Sequence, residues 1–142
     1  MAAQGFLLAL ERVLVRTVAA SRGVVRVSGE GPRDAAQFVQ GLVTNDVLSL
    51  GGGRGGCMYA GMLNAKGRML HDVFLYRQED VDRRLGGAEA GVTAAEGAAH
   101  TLLADVDAAS VGKVVAMWNR YKLRANVTVE DVSRDYRTWV LF

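Results

Sequence analysis

"GMLNAKGRMLHDVFLY", residues 61–76, places one acid, Asp72, inside a run of apolar side chains. With Ala65 and Lys66 as loop residues between Asn64 and Gly67, the stretch folds back on the preceding "CMYAGML", residues 57–63, as a β-hairpin. That register sets Tyr59 opposite Asp72, Cys57 opposite Phe74 and Gly61 opposite Leu70. Because side chains alternate along a strand, Leu70, Asp72, Phe74 and Tyr76 leave by the same face as Tyr59. Asp72 is therefore expected within an aromatic patch. A carboxylate there must be solvated, paired or hydrogen-bonded, since a bare buried charge is costly or neutralises itself. If the patch is buried, a ligand with N–H donors and a flat ring would satisfy both the acid and the aromatics. The alternative is a wet sheet face with Asp72 in water.

The pattern on either side of the hairpin alternates strands and helices. "GVVRVSG", from Gly23, has the period of a half-buried strand. Pro32 and Asp34 suit a helix's first turn, and Ala35, Phe38, Val39 and Leu42 follow as one apolar face. "TND" at residues 44–46 and the glycines at 51–53, 55 and 56 end that helix and form a loop. After the hairpin, an Ala/Gly-rich loop runs from about Asp82 to Ala99. "HTLLADV" then reads as a strand and Ser110 to Arg124 as a helix, with Val111, Val114, Val115, Trp118 and Tyr121 as its buried stripe. "NVTVEDV" and "RTWVLF" add two strands. This order argues for an α+β domain, helices packed on an antiparallel or mixed sheet.

The two ends read differently. Residues 1–22 carry Arg12, Arg16 and Arg22 among Ala, Val and Leu with Glu11 as the only acid, the composition of an organelle transit peptide. They equally suit an amphipathic first helix, with Phe6, Leu10, Val13 and Leu14 on one face. At the other end, "RTWVLF" is a strand pattern with no turn or partner after it, which would leave an apolar edge open. The expectation is a domain over 23–142 that is incomplete at its C-terminus.

Composition narrows the function classes. The chain has 142 residues, half of them hydrophobic, and a formal charge of +2, so one globular domain is expected and nucleic acid is a weak candidate partner. No apolar run reaches the roughly 20 residues of a membrane span. The single cysteine, Cys57, excludes an internal disulfide and any metal site built from this chain's cysteines alone. It reads as a small buried side chain, with pocket lining as a minor alternative. His71 and His100 are too scattered for a metal site, and "TND" suits a structural cap or a cofactor contact. "GGGRGG" lacks the Gly-Lys-Ser/Thr ending of a phosphate loop.

"GPRDAAQFVQGLVTNDV", "YAGMLNAKGRMLHDVFLY" and "WNRYKLRANVTVED" resemble, in order and spacing, the tetrahydrofolate-binding superfamily that includes the glycine-cleavage aminomethyltransferase, or T-protein. Within it the chain looks most like the branch of mitochondrial iron–sulfur cluster assembly factors that mature 4Fe–4S proteins. The resemblance implies the N-terminal part of the aminomethyltransferase folate-binding fold. It implies tetrahydrofolate as cofactor, with Asp72 at the pterin end and Tyr59, Phe74 and Tyr76 lining the pocket. It implies no catalytic residue and no metal ligand in this segment. The implied partners are cluster assembly proteins and client apoproteins, in the mitochondrial matrix or another organelle such as a plastid. The implied alternative activity is folate-dependent aminomethyl transfer. Two features depart from the superfamily: His71 stands where the aminomethyltransferases often have a second acid, and the assembly branch's "KGC" segment is absent.

Overall fold

Strand β2, Arg22–Gly29, is the organising element, because it pairs on both sides and its alternate residues feed two different faces. The computed structural model describes residues 16–18, 21–50, 56–84 and 101–141. Around β2 lie β1 (Arg16–Val18), α1 (Asp34–Gln40), β3 (Cys57–Leu63), β4 (Met69–Arg77) and α2 (Gln78–Arg84). They are followed by β5 (Thr101–Asp107), α3 (Val111–Tyr121), β6 (Val127–Asp131) and β7 (Trp139–Leu141). Five strands form one sheet in the order β3-β4-β5-β2-β6, every neighbouring pair antiparallel. This is the expected α+β architecture.

Side-chain alternation divides the sheet into two faces. Val25, Val27, Ala60, Met62, Val73, Leu75, Leu102, Ala104 and Val106 point one way and pack against Ala35, Ala36 and Val39 of α1 and Val111, Val114 and Trp118 of α3. Each fully buried valine, leucine or methionine among them contributes about 1.5–3 kcal/mol, so a one-residue slip of any strand is strongly disfavoured. Arg22, Val24, Asp72, Phe74, Tyr76, Leu103 and Asp105 leave by the other face.

The hairpin register differs from the expected one by two residues. Tyr59 lies opposite Phe74, Cys57 opposite Tyr76 and Gly61 opposite Asp72. The turn causes this: the loop holds Ala65, Lys66 and Gly67, not two residues. Asn64 accepts the backbone N–H groups of Lys66 and Arg68 at 2.9 and 3.0 Å, and Gly67 takes φ +74°. A further irregularity between Met62 and Leu63 completes the offset. A shift of two preserves the face, so Tyr59, Asp72, Phe74 and Tyr76 still share one side. Gly67→Ala would meet no neighbour within 4 Å, so its whole cost lies in the left-handed backbone. Chemical denaturation should show a loss of about 1 kcal/mol.

Other expectations need correction. Asp82 to Arg84 belong to α2 and not to a loop. Glu79 and Asp80 open that helix and Arg83 and Arg84 close it, matching its dipole. Helix α1 begins at Asp34, so Pro32 lies in the turn before it, where the Asp34 carboxylate accepts the Gly31 N–H at 2.7 Å. Leu42 follows the helix in a turn but still packs on the core. Tyr121 is exposed, because α3 ends there and the chain turns at Lys122. Strand β7 is paired along one edge, by β1 with Thr17 opposite Val140, and in this two-stranded sheet its other edge has no strand beside it among the described residues. The face proposed at Phe6, Leu10, Val13 and Leu14, His100, and glycines 51–53 and 55 lie outside the described residues.

Candidate functional site

The face opposite the helices is built in rows across the strands. One row runs Tyr59, Phe74, Asp105 and Val24; the next runs Cys57, Tyr76, Leu103, Arg26 and Glu130. Tyr59 and Phe74 meet with ring centroids 5.1 Å apart and tilted by 53°. This contact is the aromatic patch expected around Asp72.

Asp72 is neither bare nor simply hydrated. Arg22, at the start of β2, reaches across β5 and donates from Nη1 to Asp72 Oδ2 at 3.1 Å. The same guanidinium donates from Nε to Asp105 Oδ1 at 2.7 Å and from Nη2 to the Asp105 backbone carbonyl at 2.8 Å. Its carbon Cζ lies 5.6 Å from the centroid of the Phe74 ring, within cation–π range. Thr138 donates to the remaining Asp105 oxygen at 3.0 Å. Burial alone would push the Arg22 pKa down, but Asp105 and then Asp72 outweigh it and hold it above its ordinary value. The two carboxylates differ: the Asp105 side chain is 5% exposed and the Asp72 side chain 41%. Asp105 is therefore the anchor, and Asp72 is the acceptor presented at the surface.

A pocket of about 200 Å³ adjoins this cluster. Val24, Tyr76, Val81 and Leu103 form its apolar walls, and Asp105 with Thr138 its polar end. Of the four residues proposed from sequence, only Tyr76 lines it. Burial, with the neighbouring Cys57 thiol as the next cause, raises the Tyr76 pKa, so its phenol stays protonated. Tyr59 stands outside with 55% exposure.

Arg22, Asp105 and Thr138 were not foreseen. Asp105 carried the same signal as Asp72, an acid inside the apolar run "TLLADV". Arg22 carried none, since only folding brings it beside residues 50 and 83 positions away.

Cys57 is exposed, not buried, because it sits on edge strand β3 and faces away from the helices. "TND" lies along that edge. Thr44 Oγ1 accepts the Gly61 N–H at 2.8 Å, and Asn45 Nδ2 donates to the Tyr59 carbonyl at 3.0 Å. The segment thus covers backbone that an edge strand would leave open. Among the described residues, no three His, Cys, Asp or Glu side chains gather as a metal-binding group, and no helix is long and apolar enough to cross a membrane.

The arrangement offers a planar, N–H-rich ligand a half-exposed carboxylate oxygen and the open ring of Tyr59. It fits the pterin end of a folate in donor and acceptor chemistry. The fit is partial, because Arg22 already takes one Asp72 oxygen and lies against Phe74.

No protein-family model matches the chain. Two curated relatives are mitochondrial iron–sulfur cluster assembly factors. The IBA57 homolog of Mycosarcoma maydis is 37% identical over 120 residues, covering 81% of this chain and 26% of that protein. IBA57 of Mus musculus is 32% identical over 126 residues, covering 84% of this chain and 30% of that protein. The chain thus spans between about a quarter and a third of the length of these relatives. Among solved structures, the glycine cleavage system aminomethyltransferase T of Bartonella henselae superposes with a TM-score of 0.59 at 15% identity, covering 85% of this chain and 27% of that one. That likeness establishes the fold. With assembly-factor sequences on the fold of an aminomethyltransferase, the chain belongs to the IBA57 family of mitochondrial iron–sulfur cluster assembly factors.

Proposed function

We propose that the chain serves iron–sulfur cluster assembly in the mitochondrial matrix, assisting the maturation of 4Fe–4S proteins together with cluster assembly proteins and client apoproteins. The outer sheet face is the surface through which it recognises tetrahydrofolate, with Asp72 as acceptor and Tyr59, Phe74 and Tyr76 as the aromatic surround. The observation that carries assembly over catalysis is the Arg22–Asp72 ion pair at 3.1 Å. In aminomethyl transfer a carboxylate at this place would stabilise developing positive charge. A carboxylate with a guanidinium anchored beside it on Asp105 does so less, because that positive charge opposes another developing next to it. The greater identity to assembly factors than to the aminomethyltransferase points the same way.

Depleting the protein from its own cells should lower the activity of mitochondrial 4Fe–4S enzymes and spare those that carry 2Fe–2S clusters. The purified full chain should not turn over a lipoyl-bound aminomethyl group. Turnover of that group, with 4Fe–4S enzymes intact after depletion, would establish the enzyme reading instead.

The folate assignment has its own test. Asp72→Asn keeps size and shape but removes the charge, and should weaken tetrahydrofolate binding in isothermal titration by roughly tenfold, the scale of one charge-assisted hydrogen bond. Equal affinity for variant and parent would remove Asp72 from the site.

A further inference from the structure

The geometry points to Arg22 as a built-in competitor for the folate-recognition site, a specificity-determining residue that must release Asp72 before a pterin ring can bind. This inference rests on the folate reading of the outer face.

The face calls for a flat group bearing several N–H donors, held by a carboxylate and stacked on an aromatic ring. A guanidinium is such a group: planar, always charged, with five donors in a fixed fork and a preference for aromatic faces. Arg22 uses it in that way. Nη1 donates to Asp72 Oδ2 at 3.1 Å, and Cζ lies 5.6 Å from the Phe74 centroid. The chain's own side chain thus occupies part of the place that the ring of a ligand needs.

The bonds of Arg22 are unequal, and this makes release feasible. On the Asp105 side there are two bonds, at 2.7 and 2.8 Å, to a residue that is almost wholly buried. On the Asp72 side there is one longer bond to a half-exposed carboxylate. A ligand that takes Asp72 breaks the single bond and leaves the anchor in place. It must still outcompete a charge-assisted hydrogen bond, so the parent's affinity is set below what Asp72 and the aromatics would otherwise give. If Arg22 instead oriented Asp72 for the ligand, removing it would weaken binding. The sign of the effect separates the two roles.

The test is titration of tetrahydrofolate, without oxygen, into the full chain and its Arg22→Met variant. Loss of Arg22 leaves Asp105 buried without its cation, so the same comparison is made in an Asp105→Asn background, with thermal melts confirming that each variant folds. Expected is roughly tenfold tighter binding by Arg22→Met than by its parent, in both backgrounds. Arg22→Lys should fall between, because an ammonium has neither the fork nor the flat face. Parent binding with equal or weaker binding by folded Arg22 variants would overturn the competitor role and leave the folate reading intact. Failure of parent and every folded variant to bind would overturn both.

Discussion

Asp105→Ala is expected to lower the stability of the chain by about 3 kcal/mol or more in chemical denaturation, with the slope of the transition unchanged. The substitution strips Arg22 of its bond from Nε and of the buried carboxylate that balances its charge, and leaves only the bond from Nη2 to the backbone carbonyl on that side. It also leaves Thr138 Oγ1 without its acceptor. The guanidinium, only 17% exposed, cannot recover this hydration where it lies. Asp72→Ala should cost far less, about 1 kcal/mol or below, since that carboxylate is half-exposed and makes one longer bond to Arg22. Equal costs for the two would contradict the assignment of Asp105 as anchor and Asp72 as presented acceptor. A small cost for Asp105→Ala would mean that Arg22 finds other partners.

The second large effect belongs to the opposite face of the sheet. Trp118→Ala should destabilise the chain by about 3–5 kcal/mol, the range for removing a buried aromatic side chain and leaving a cavity. Trp118 is fully buried, the largest such side chain among the described residues, and meets Phe38 edge-on with centroids 6.4 Å apart. It therefore joins α3 to α1 as well as to the sheet. Among the described residues its indole Nε1 finds no acceptor, so Trp118→Phe, which removes that N–H and keeps most of the ring, should cost markedly less. A loss from Trp118→Ala within 1 kcal/mol would show that the interface between α1 and α3 closes over the gap.

Local signals were enough for most of the fold. Alternating Val25 and Val27 announced β2, the spacing of Val111, Val114 and Trp118 announced α3, and the strand bounds "CMYAGML" match β3 residue for residue. Period-two alternation also placed Tyr59, Asp72, Phe74 and Tyr76 on one face, and that result survived a wrong register because the error was an even number of residues. Where local signals were balanced, they misled. The Asn64–Arg68 turn accommodates either two or three loop residues, and hydrogen bonds to the Asn64 side chain chose three. Helix α2 has few apolar residues to mark it, yet Val81 docks it beside Tyr76 and Tyr136.

By itself the sequence determined which residues alternate, which face of each strand is apolar, and that an acid would stand among aromatics at Asp72. These follow from covalent spacing and from the free energy of burying hydrocarbon, both of which act over a few residues. The partner of that acid was decided only in the tertiary structure. Arg22 looks in sequence like another cation of the leading segment. It reaches Asp72 and Asp105 only because β2 and β4 are laid on either side of β5. Charge pairing depends on distance in space, and the strand order sets that distance.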